Sequence, residues 1–322
     1  MKARQRAILG VVSAMLLSCA AAGQTPPSAP DKTAPAASEN KRVPDIAYGA
    51  YQRGYFLTAF AYATQLAEKN DPQSMTLLGE LYANGLGVGR DDAKAESWYK
   101  LAAERGDRDA IFALAMFRFE GRNGPRDIEA GAKLLERAVK LGHPVAAYDL
   151  GLLYLNGQGL QQDMKHAAAL FSFAAKAGNA EAQYALATLY KDGRGVPKDV
   201  AEATRLMGRA ALAGNVDAMT EFAIAQFNGE GIPKNETAAA HLMLLAAQRG
   251  NPIAQNRMAH ILAAGRGMKA DPVEAVKWHL IARANGKSDP DLDIYMAKQS
   301  AKVREEAGKK VKLWFSTAPK KA

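Results

Sequence analysis

The chain has only one cysteine, Cys19, among its 322 residues. A single cysteine cannot form an intramolecular disulfide, so the fold must be held by side-chain packing. Because Cys19 lies close to the N-terminus, the rest of the chain also lacks a thiol nucleophile and a thiolate metal ligand. The scarcity of cysteine therefore excludes a disulfide scaffold and a cysteine-based catalytic site.

Aromatic residues are also scarce, at 7% of the sequence, whereas alanine is abundant. β-Sheets draw on aromatic and β-branched side chains, while small residues allow helices to pack closely together. This balance predicts an all-α protein. At 322 residues the chain is longer than an ordinary single core, which favours several domains or a repeat array.

Recognisable catalytic and metal-binding motifs are missing. The five histidines stand at positions 143, 166, 241, 260 and 279, and none pairs with another His, Asp, Glu or Cys at a metal-ligand spacing. The chain has no Gly-x-Ser-x-Gly elbow, and the loop Gly85–Gly89 joins two predicted helices rather than the strand and helix of a phosphate-binding loop. We therefore predict no catalytic residue, no metal site and no cofactor.

The net charge of +9 is confined to the two ends of the chain. The first six residues contribute +3 through Lys2, Arg4 and Arg6, and residues 298–322 contribute +6, which leaves residues 20–297 neutral. Since a nucleic-acid-binding body needs basic patches, we expect no nucleic-acid partner.

The N-terminus has the pattern of an export signal, with three basic residues followed by the apolar run 7–17. We assign residues 1–22 as a signal peptide. Leu16-Leu17-Ser18-Cys19 resembles a bacterial lipobox, which implies lipidation of Cys19, whereas Ala20-Ala21-Ala22 resembles an ordinary cleavage site that removes the cysteine. By resemblance to bacterial lipoproteins, the absence of Asp after Cys19 implies the outer membrane. Residues 23–43 are rich in Pro, Ala, Ser and Thr and are predicted to form a disordered linker.

Glycines recur every 36 residues in two series, beginning at Gly85 and at Gly106. A fixed period of this length is typical of stacked supersecondary units. Between the glycines, apolar residues follow helical spacing, as in Ala146, Leu150 and Tyr154. The glycine at the end of each second helix is expected to adopt the left-handed conformation that turns the chain. Asn70 stands one period before Gly106, so the array begins before the first glycine of that series.

These features predict a right-handed superhelical α/α solenoid with capped ends. The predicted parts are an N-terminal capping hairpin over residues 44–70, six repeats over 71–287, a C-terminal capping helix over 288–316 and a basic tail over 317–322. One hairpin alone cannot bury enough surface to offset its ordering entropy, so neighbouring units are expected to fold as a stack.

The repeats resemble the Sel1-like family, which is related to tetratricopeptide repeats. The first repeat carries Leu78-Gly79, Tyr82, the Gly85–Val88 loop, Asp91, and the second-helix residues Ala95, Trp98, Tyr99, Ala102, Ala103 and Gly106. The second repeat departs most, with Arg118 near the tyrosine column and Gly121-Arg122-Asn123-Gly124 as its loop. The cysteine pairs that mark relatives with β-lactam-related activity are missing here.

The tetratricopeptide geometry implied by this resemblance places one column of first-helix residues on the concave wall. This column reads Thr76, Phe112, Tyr148, Tyr184, Thr220 and Asn256, and a companion column reads Glu80, Met116, Leu152, Thr188, Ile224 and His260. Aromatic residues and Met in a concave surface suit a peptide or helix partner. The predicted partner-binding residues are Phe112, Met116, Tyr148, Leu152, Tyr184 and Asn256. The alternative is that the tyrosines only pack on the adjacent helix. Among the histidines, His279 is expected either to pack within the repeat or to lie at its surface, and His260 is expected to face the inner surface.

The resemblance implies a non-catalytic scaffold in the bacterial cell envelope that binds an envelope protein or peptide. The expected location is the periplasm, with attachment to the outer membrane by a lipid anchor if Cys19 is modified. A second hypothesis is direct binding of peptidoglycan or exopolysaccharide, and a third is an envelope hydrolase.

Overall fold

The computed structural model describes residues 46–317, in which sixteen helices and no strands occur. The predicted signal, linker and Cys19 lie outside the described residues, as do residues 318–322 of the basic tail. The helices are α1 (Ile46–Gln52), α2 (Phe56–Ala67), α3 (Pro72–Asn84), α4 (Asp92–Glu104), α5 (Arg108–Glu120), α6 (Ile128–Lys140), α7 (Pro144–Asn156), α8 (Met164–Lys176), α9 (Ala180–Asp192), α10 (Val200–Leu212), α11 (Val216–Asn228), α12 (Glu236–Gln248), α13 (Pro252–Ala264), α14 (Pro272–Ala284), α15 (Pro290–Ala297) and α16 (Ala301–Thr317).

The helices from α3 to α14 form six hairpins that stack in chain order as a right-handed α/α solenoid, as predicted. Each first helix packs on its own second helix and on the second helix of the preceding hairpin. Alanine columns on the second helices, such as Ala95 and Ala102, are fully buried between neighbouring hairpins. Small side chains at these contacts let the helix axes approach closely.

Every helix of the six repeats begins after an Asp, Asn or His whose side chain accepts a hydrogen bond from a backbone N–H of the first turn. In α7 the cap is His143, whose Nδ1 accepts from the Ala146 N–H at 3.0 Å. Such a cap contributes about 1 kcal/mol of helix stability. These short polar residues explain why each helix begins at the same point of the repeat.

The turn after each second helix has the predicted left-handed conformation. Gly106 has a φ of 83°, and Asn70, one period earlier, has a φ of 64°. Asparagine is the usual substitute for glycine here because its short side chain tolerates this region. The repeat geometry therefore does extend back to the hairpin formed by α1 and α2.

The ends of the array differ in detail from the sequence-based expectation. Residues 44–70 were predicted to form a hairpin, and α1 and α2 form one. Residues 288–316 were predicted as a single helix but form α15 and α16, which are separated by Lys298–Ser300. The break allows α16 to pack along α14, where the Trp314 and Trp278 rings meet at a centroid distance of 5.3 Å.

Candidate interaction face

The first helices of the repeats expose one strip of side chains, which we call the first-helix face. It consists of the positions equivalent to Val145, Tyr148, Asp149 and Leu152 in α3, α5, α7, α9, α11 and α13. These four positions are spaced i, i+3, i+4 and i+7, so they lie on one side of each helix. The opposite side of each helix, with Ala146, Ala147 and Leu150, is buried in the core.

Three aromatic rings form a ladder along the middle of this face, and all three are half-buried. The Phe112 ring stacks on the His143 ring with a centroid distance of 4.6 Å and an interplanar angle of 19°. The Tyr148 ring packs against the Phe171 ring at 5.8 Å. Tyr184 is the third ring of the ladder, and burial is the main cause that raises the pKa values of Tyr148 and Tyr184 to about 12. The tyrosines therefore contact the protein interior and still expose part of each ring.

Met116 and Leu152 lie in the companion column and are partly buried against the same core. They stand in the same repeats as Phe112 and Tyr148, so the apolar part of the face spans the second and third repeats and reaches Tyr184 in the fourth. Five of the six predicted partner-binding residues thus occupy the first-helix face with partial exposure.

Asn256, the sixth predicted residue, is differently placed. Its side chain is only 5% exposed, and its amide Nδ2 donates to Asp289 Oδ2 at 2.9 Å. His260 Nε2 lies 2.8 Å from the same oxygen. Burial alone would raise the pKa of Asp289, but the hydrogen bonds from Asn256 and His260 hold it well below its usual range. Asn256 therefore serves to attach α13 to the start of α15.

An open depression of about 410 Å³ surrounds this cluster at the C-terminal end of the face. Asn256, Arg257, His260, Lys287 and Asp289 contribute to its wall. At the opposite end, Glu80 accepts a hydrogen bond of 2.8 Å from the Tyr51 hydroxyl, which joins α1 to α3. Glu80 is thus engaged with α1, and Asn256 and His260 are engaged with the start of α15.

Five carboxylates on the first-helix face were missed by sequence reasoning, namely Asp109, Asp149, Glu181, Asp217 and Glu221. Asp109 Oδ1 lies 3.2 Å from His143 Nε2, and the other four lie around Tyr148 and Tyr184. They occupy the Val145 and Asp149 columns, which flank the tyrosines. Burial raises the pKa of Asp149 to about 7. Burial and then the nearby carboxylates of Glu221, Asp217 and Glu181 raise the pKa of Tyr184. These carboxylates could have been found by comparing the two columns from repeat to repeat. The net charge of the body is zero and gives no sign of them.

Neither a cluster of metal-ligating side chains nor a helix able to cross a membrane occurs within residues 46–317. There, no three side chains among His, Cys, Asp and Glu come together in a way that could hold a metal ion. None of the helices in the same range combines the length and hydropathy needed to cross a bilayer. His279, in the Tyr99 column, is buried in the core, and its Nε2 lies 2.7 Å from Asp293 Oδ1.

A stack of helical hairpins with an exposed apolar strip defines a helical-repeat protein of the scaffold class. Six consecutive segments match the Sel1 repeat, over residues 72–107, 108–143, 144–179, 180–215, 216–251 and 252–287. The chain belongs to the Sel1 repeat family. The matched segments coincide with the six hairpins, including the second, which departs most from the pattern.

Solved structures show the same fold. A Sel1 repeat protein from Oxalobacter formigenes is 29% identical, with a TM-score of 0.66, over 74% of this chain and 98% of that protein. A protective antigen present in uropathogenic Escherichia coli strains, which displays an SLR fold, is 24% identical, with a TM-score of 0.56, over 84% of this chain and 67% of that protein. Among curated proteins, none matches the chain significantly. Members of the Sel1 repeat family are typically non-catalytic scaffolds for protein interactions.

Proposed function

We propose that this protein is a non-catalytic adaptor of the bacterial cell envelope, whose first-helix face binds a protein partner. The observation that carries the proposal is the ladder of Phe112, Tyr148 and Tyr184, which stand at equivalent positions with partly exposed rings. Half-buried aromatic residues are the side chains that most often dominate binding energy at protein interfaces. Their attachment to the core also limits the entropy lost on binding.

The sequence supports the envelope as the location, through the basic and apolar N-terminal pattern and the lipobox-like residues before Cys19. In this proposal Cys19 is acylated and tethers the solenoid to the outer membrane, on its periplasmic side. An acyl chain contributes about 0.8 kcal/mol of membrane affinity for each buried CH₂ group. Mass analysis of the mature N-terminus tests the anchor: a diacylated or triacylated Cys19 is expected, and a free N-terminus beyond residue 19 would reject it.

The binding face is tested by replacing Tyr148 and Tyr184 with alanine in the full chain. Crosslinking in intact envelopes, followed by mass spectrometry, is expected to recover a partner with the unmodified protein and to lose it with this double variant. The loss follows because truncating two rings removes apolar contact area and any edge or face contacts with the partner. Circular dichroism is expected to show that the helices are retained.

The matched control removes two exposed rings from second helices, through Tyr62→Ala and Phe173→Ala, whose side chains are 40% exposed in each case. Capture is expected to survive in this control. Equal capture by all three proteins would reject the first-helix face as the binding surface. Retention on purified peptidoglycan or exopolysaccharide, without any protein partner, would favour the glycan-binding alternative.

A further inference from the structure

The carboxylates of the first-helix face are concentrated around Tyr148 and Tyr184. Glu181 and Asp149 contribute to the raised pKa of Tyr148, after burial, and Glu181 contributes again at Tyr184 together with Asp217 and Glu221. In the helical register, Asp149 directly follows Tyr148 in α7, and Glu181 stands one turn before Tyr184 in α9. The two tyrosines and the acidic groups form one continuous patch in the third, fourth and fifth repeats.

Most carboxylates of this patch form no ion pair with a Lys or Arg side chain of residues 46–317. Among the described residues, Asp149 and Glu181 have no ion pair and no side-chain hydrogen bond. Asp217 accepts a hydrogen bond of 2.8 Å from Asn251 Nδ2, which is neutral. Only Glu221 has a cationic partner, since its Oε2 lies 2.8 Å from Lys191 Nζ.

The lack of partners contrasts with other carboxylates in the same array. Glu96 contacts Lys100 and Arg118, Glu236 contacts Lys234 and Arg266, and Glu274 contacts Lys277 and Lys310. Carboxylates that are partly withdrawn from water are normally paired, because burial disfavours the charged form. Asp149 is the extreme case, since burial raises its pKa to about 7 and no cation offsets that effect.

The composition of the patch selects one kind of occupant. A lysine ammonium or an arginine guanidinium can lie over a tyrosine ring and contact a carboxylate at the same time. The sixth repeat has Arg257 where the third has Asp149, so the negative charge of this column does not extend to the C-terminal end of the face. An anionic segment would meet repulsion here, and a purely apolar one would leave the carboxylates desolvated and unpaired.

We therefore propose that the first-helix face binds a cationic protein segment, whose Arg or Lys side chains occupy the patch between Tyr148, Tyr184, Asp149 and Glu181. This inference rests on the proposed function and specifies the chemistry of its partner. The apolar residues Met116 and Leu152 beside the patch provide contact for aliphatic side chains of the same segment.

The test uses the full chain and three synthetic peptides that differ only in carrying arginine, glutamine or glutamate at the same positions. Fluorescence anisotropy is expected to show that the arginine peptide binds at least about tenfold more tightly than the glutamine peptide, with a strong salt dependence. Replacing Asp149 with Asn and Glu181 with Gln is expected to abolish this preference. The matched control, Glu68→Gln with Glu104→Gln, removes two exposed carboxylates outside the face and is expected to keep the preference.

The proposal of a cationic partner would be overturned if all three peptides bound equally tightly. It would also be overturned if the two carboxylate variants lost the preference for the arginine peptide to the same extent. Envelope crosslinking separates this failure from that of the proposed function. Capture that is lost with the tyrosine variant but fully retained with Asp149→Asn and Glu181→Gln would reject the cationic segment and leave the adaptor role intact. Analytical ultracentrifugation tests whether the face binds a second copy of this chain instead. Self-association that is lost in the Asp149→Asn and Glu181→Gln variant would show this and would overturn the proposal of a separate cationic partner.

Discussion

At the scale of single residues, the two helices of a repeat meet where a small side chain faces a large one. A Cβ on Gly79 would lie 2.5 Å from the Tyr99 ring, and a Cβ on Gly151 would lie 2.6 Å from Phe171 Cε1. In the fourth repeat the equivalent positions hold Ala187 and Met207, both buried. Glycine thus accompanies an aromatic ring, and alanine accompanies the slimmer methionine.

This size matching predicts that Gly151→Ala destabilises the fold and that Phe171→Met in the same chain restores stability. The single change should cost about 1 to 3 kcal/mol, because the new methyl group overlaps a fully buried ring. The double variant recreates the Ala187 and Met207 pairing two helices later. Urea denaturation followed by circular dichroism measures the free energy of unfolding of each protein.

Gly308→Ala provides the control for adding a methyl group to a helix. A Cβ there meets no atom within 4 Å, so this change should stabilise α16 by about 0.5 to 1 kcal/mol. The comparison also needs the single variant Phe171→Met. If the double variant loses as much unfolding free energy as the two single variants together, the two substitutions do not compensate each other and the size-matching argument fails.

At the scale of helices and loops, the second repeat shows how several departures from the pattern can depend on one another. Glu96 in α4 is buried, in a column that holds alanine in the second, third and fifth repeats. Its carboxylate accepts hydrogen bonds from Arg118, which replaces the tyrosine of the pattern, and from Asn123, which replaces the second loop glycine. Asn123 has a φ of 53°, so the loop keeps the left-handed geometry of the glycine loops.

The Glu96 cluster predicts a pH-dependent contribution to stability. Burial alone would raise the pKa of Glu96, but hydrogen bonds from Lys100, Arg118 and Asn123 lower it from 4.5 to about 2. Since the pKa is lower in the folded state, the carboxylate stabilises the fold above pH 4.5, and this contribution is lost as the pH falls toward 2. Glu96→Gln should therefore cost about 1 to 3 kcal/mol near neutral pH, and its difference from the unmodified protein should shrink in acid.

Unfolding free energies measured from neutral to acidic pH test this prediction. Because other carboxylates titrate in the same range, the informative quantity is the difference between the two proteins at each pH. The control variant combines Glu96→Ala, Arg118→Tyr and Asn123→Gly, which restores the repeat pattern, and it is expected to stay folded. A difference that stays constant with pH would show that the Glu96 charge does not stabilise this junction.

At the scale of the whole molecule, the array is stable only if both ends are covered, because each hairpin buries its apolar surface against neighbours. At one end, α1 contributes the Tyr51 hydroxyl to Glu80. At the other, α16 places Trp314 over Trp278, and Lys310 Nζ lies 2.6 Å from Glu274 Oε1. The C-terminal cap thus combines an apolar contact with a polar one, and the N-terminal cap contributes a hydrogen bond.

The distribution of charge also acts at this scale. The excess of positive charge lies in the two ends, while residues 20–297 are neutral. The neutral net charge of the body hides an uneven surface. Within the described residues, Asp149, Glu181 and Asp217 lie around Tyr148 and Tyr184 without a cationic partner, whereas Glu96, Glu236 and Glu274 each contact two Lys or Arg side chains. A net charge summed along the chain could not reveal this separation.

The sequence by itself determined the architecture. The 36-residue period, the left-handed glycine positions, the capping residues and the alanine columns recur because every hairpin must turn and pack in the same way. These requirements are local, so they leave a regular trace that can be read without coordinates. The six repeats and the N-terminal hairpin were predicted from the period, the glycine positions and the spacing of the apolar residues; the capping residues were seen only in the structure.

The tertiary structure alone decided which side chains of the first-helix face are exposed. Asn256 occupies the same column as Tyr148, but its side chain is buried and donates a hydrogen bond to Asp289. The predicted C-terminal helix is divided into two helices, and the second of them, α16, packs along α14. The hydrogen-bond partners of Glu96 in the next hairpin lie 22 and 27 residues away along the chain, and neither separation corresponds to the 36-residue period. Such pairings differ from one repeat to the next, because they depend on which side chains a neighbouring hairpin brings into contact.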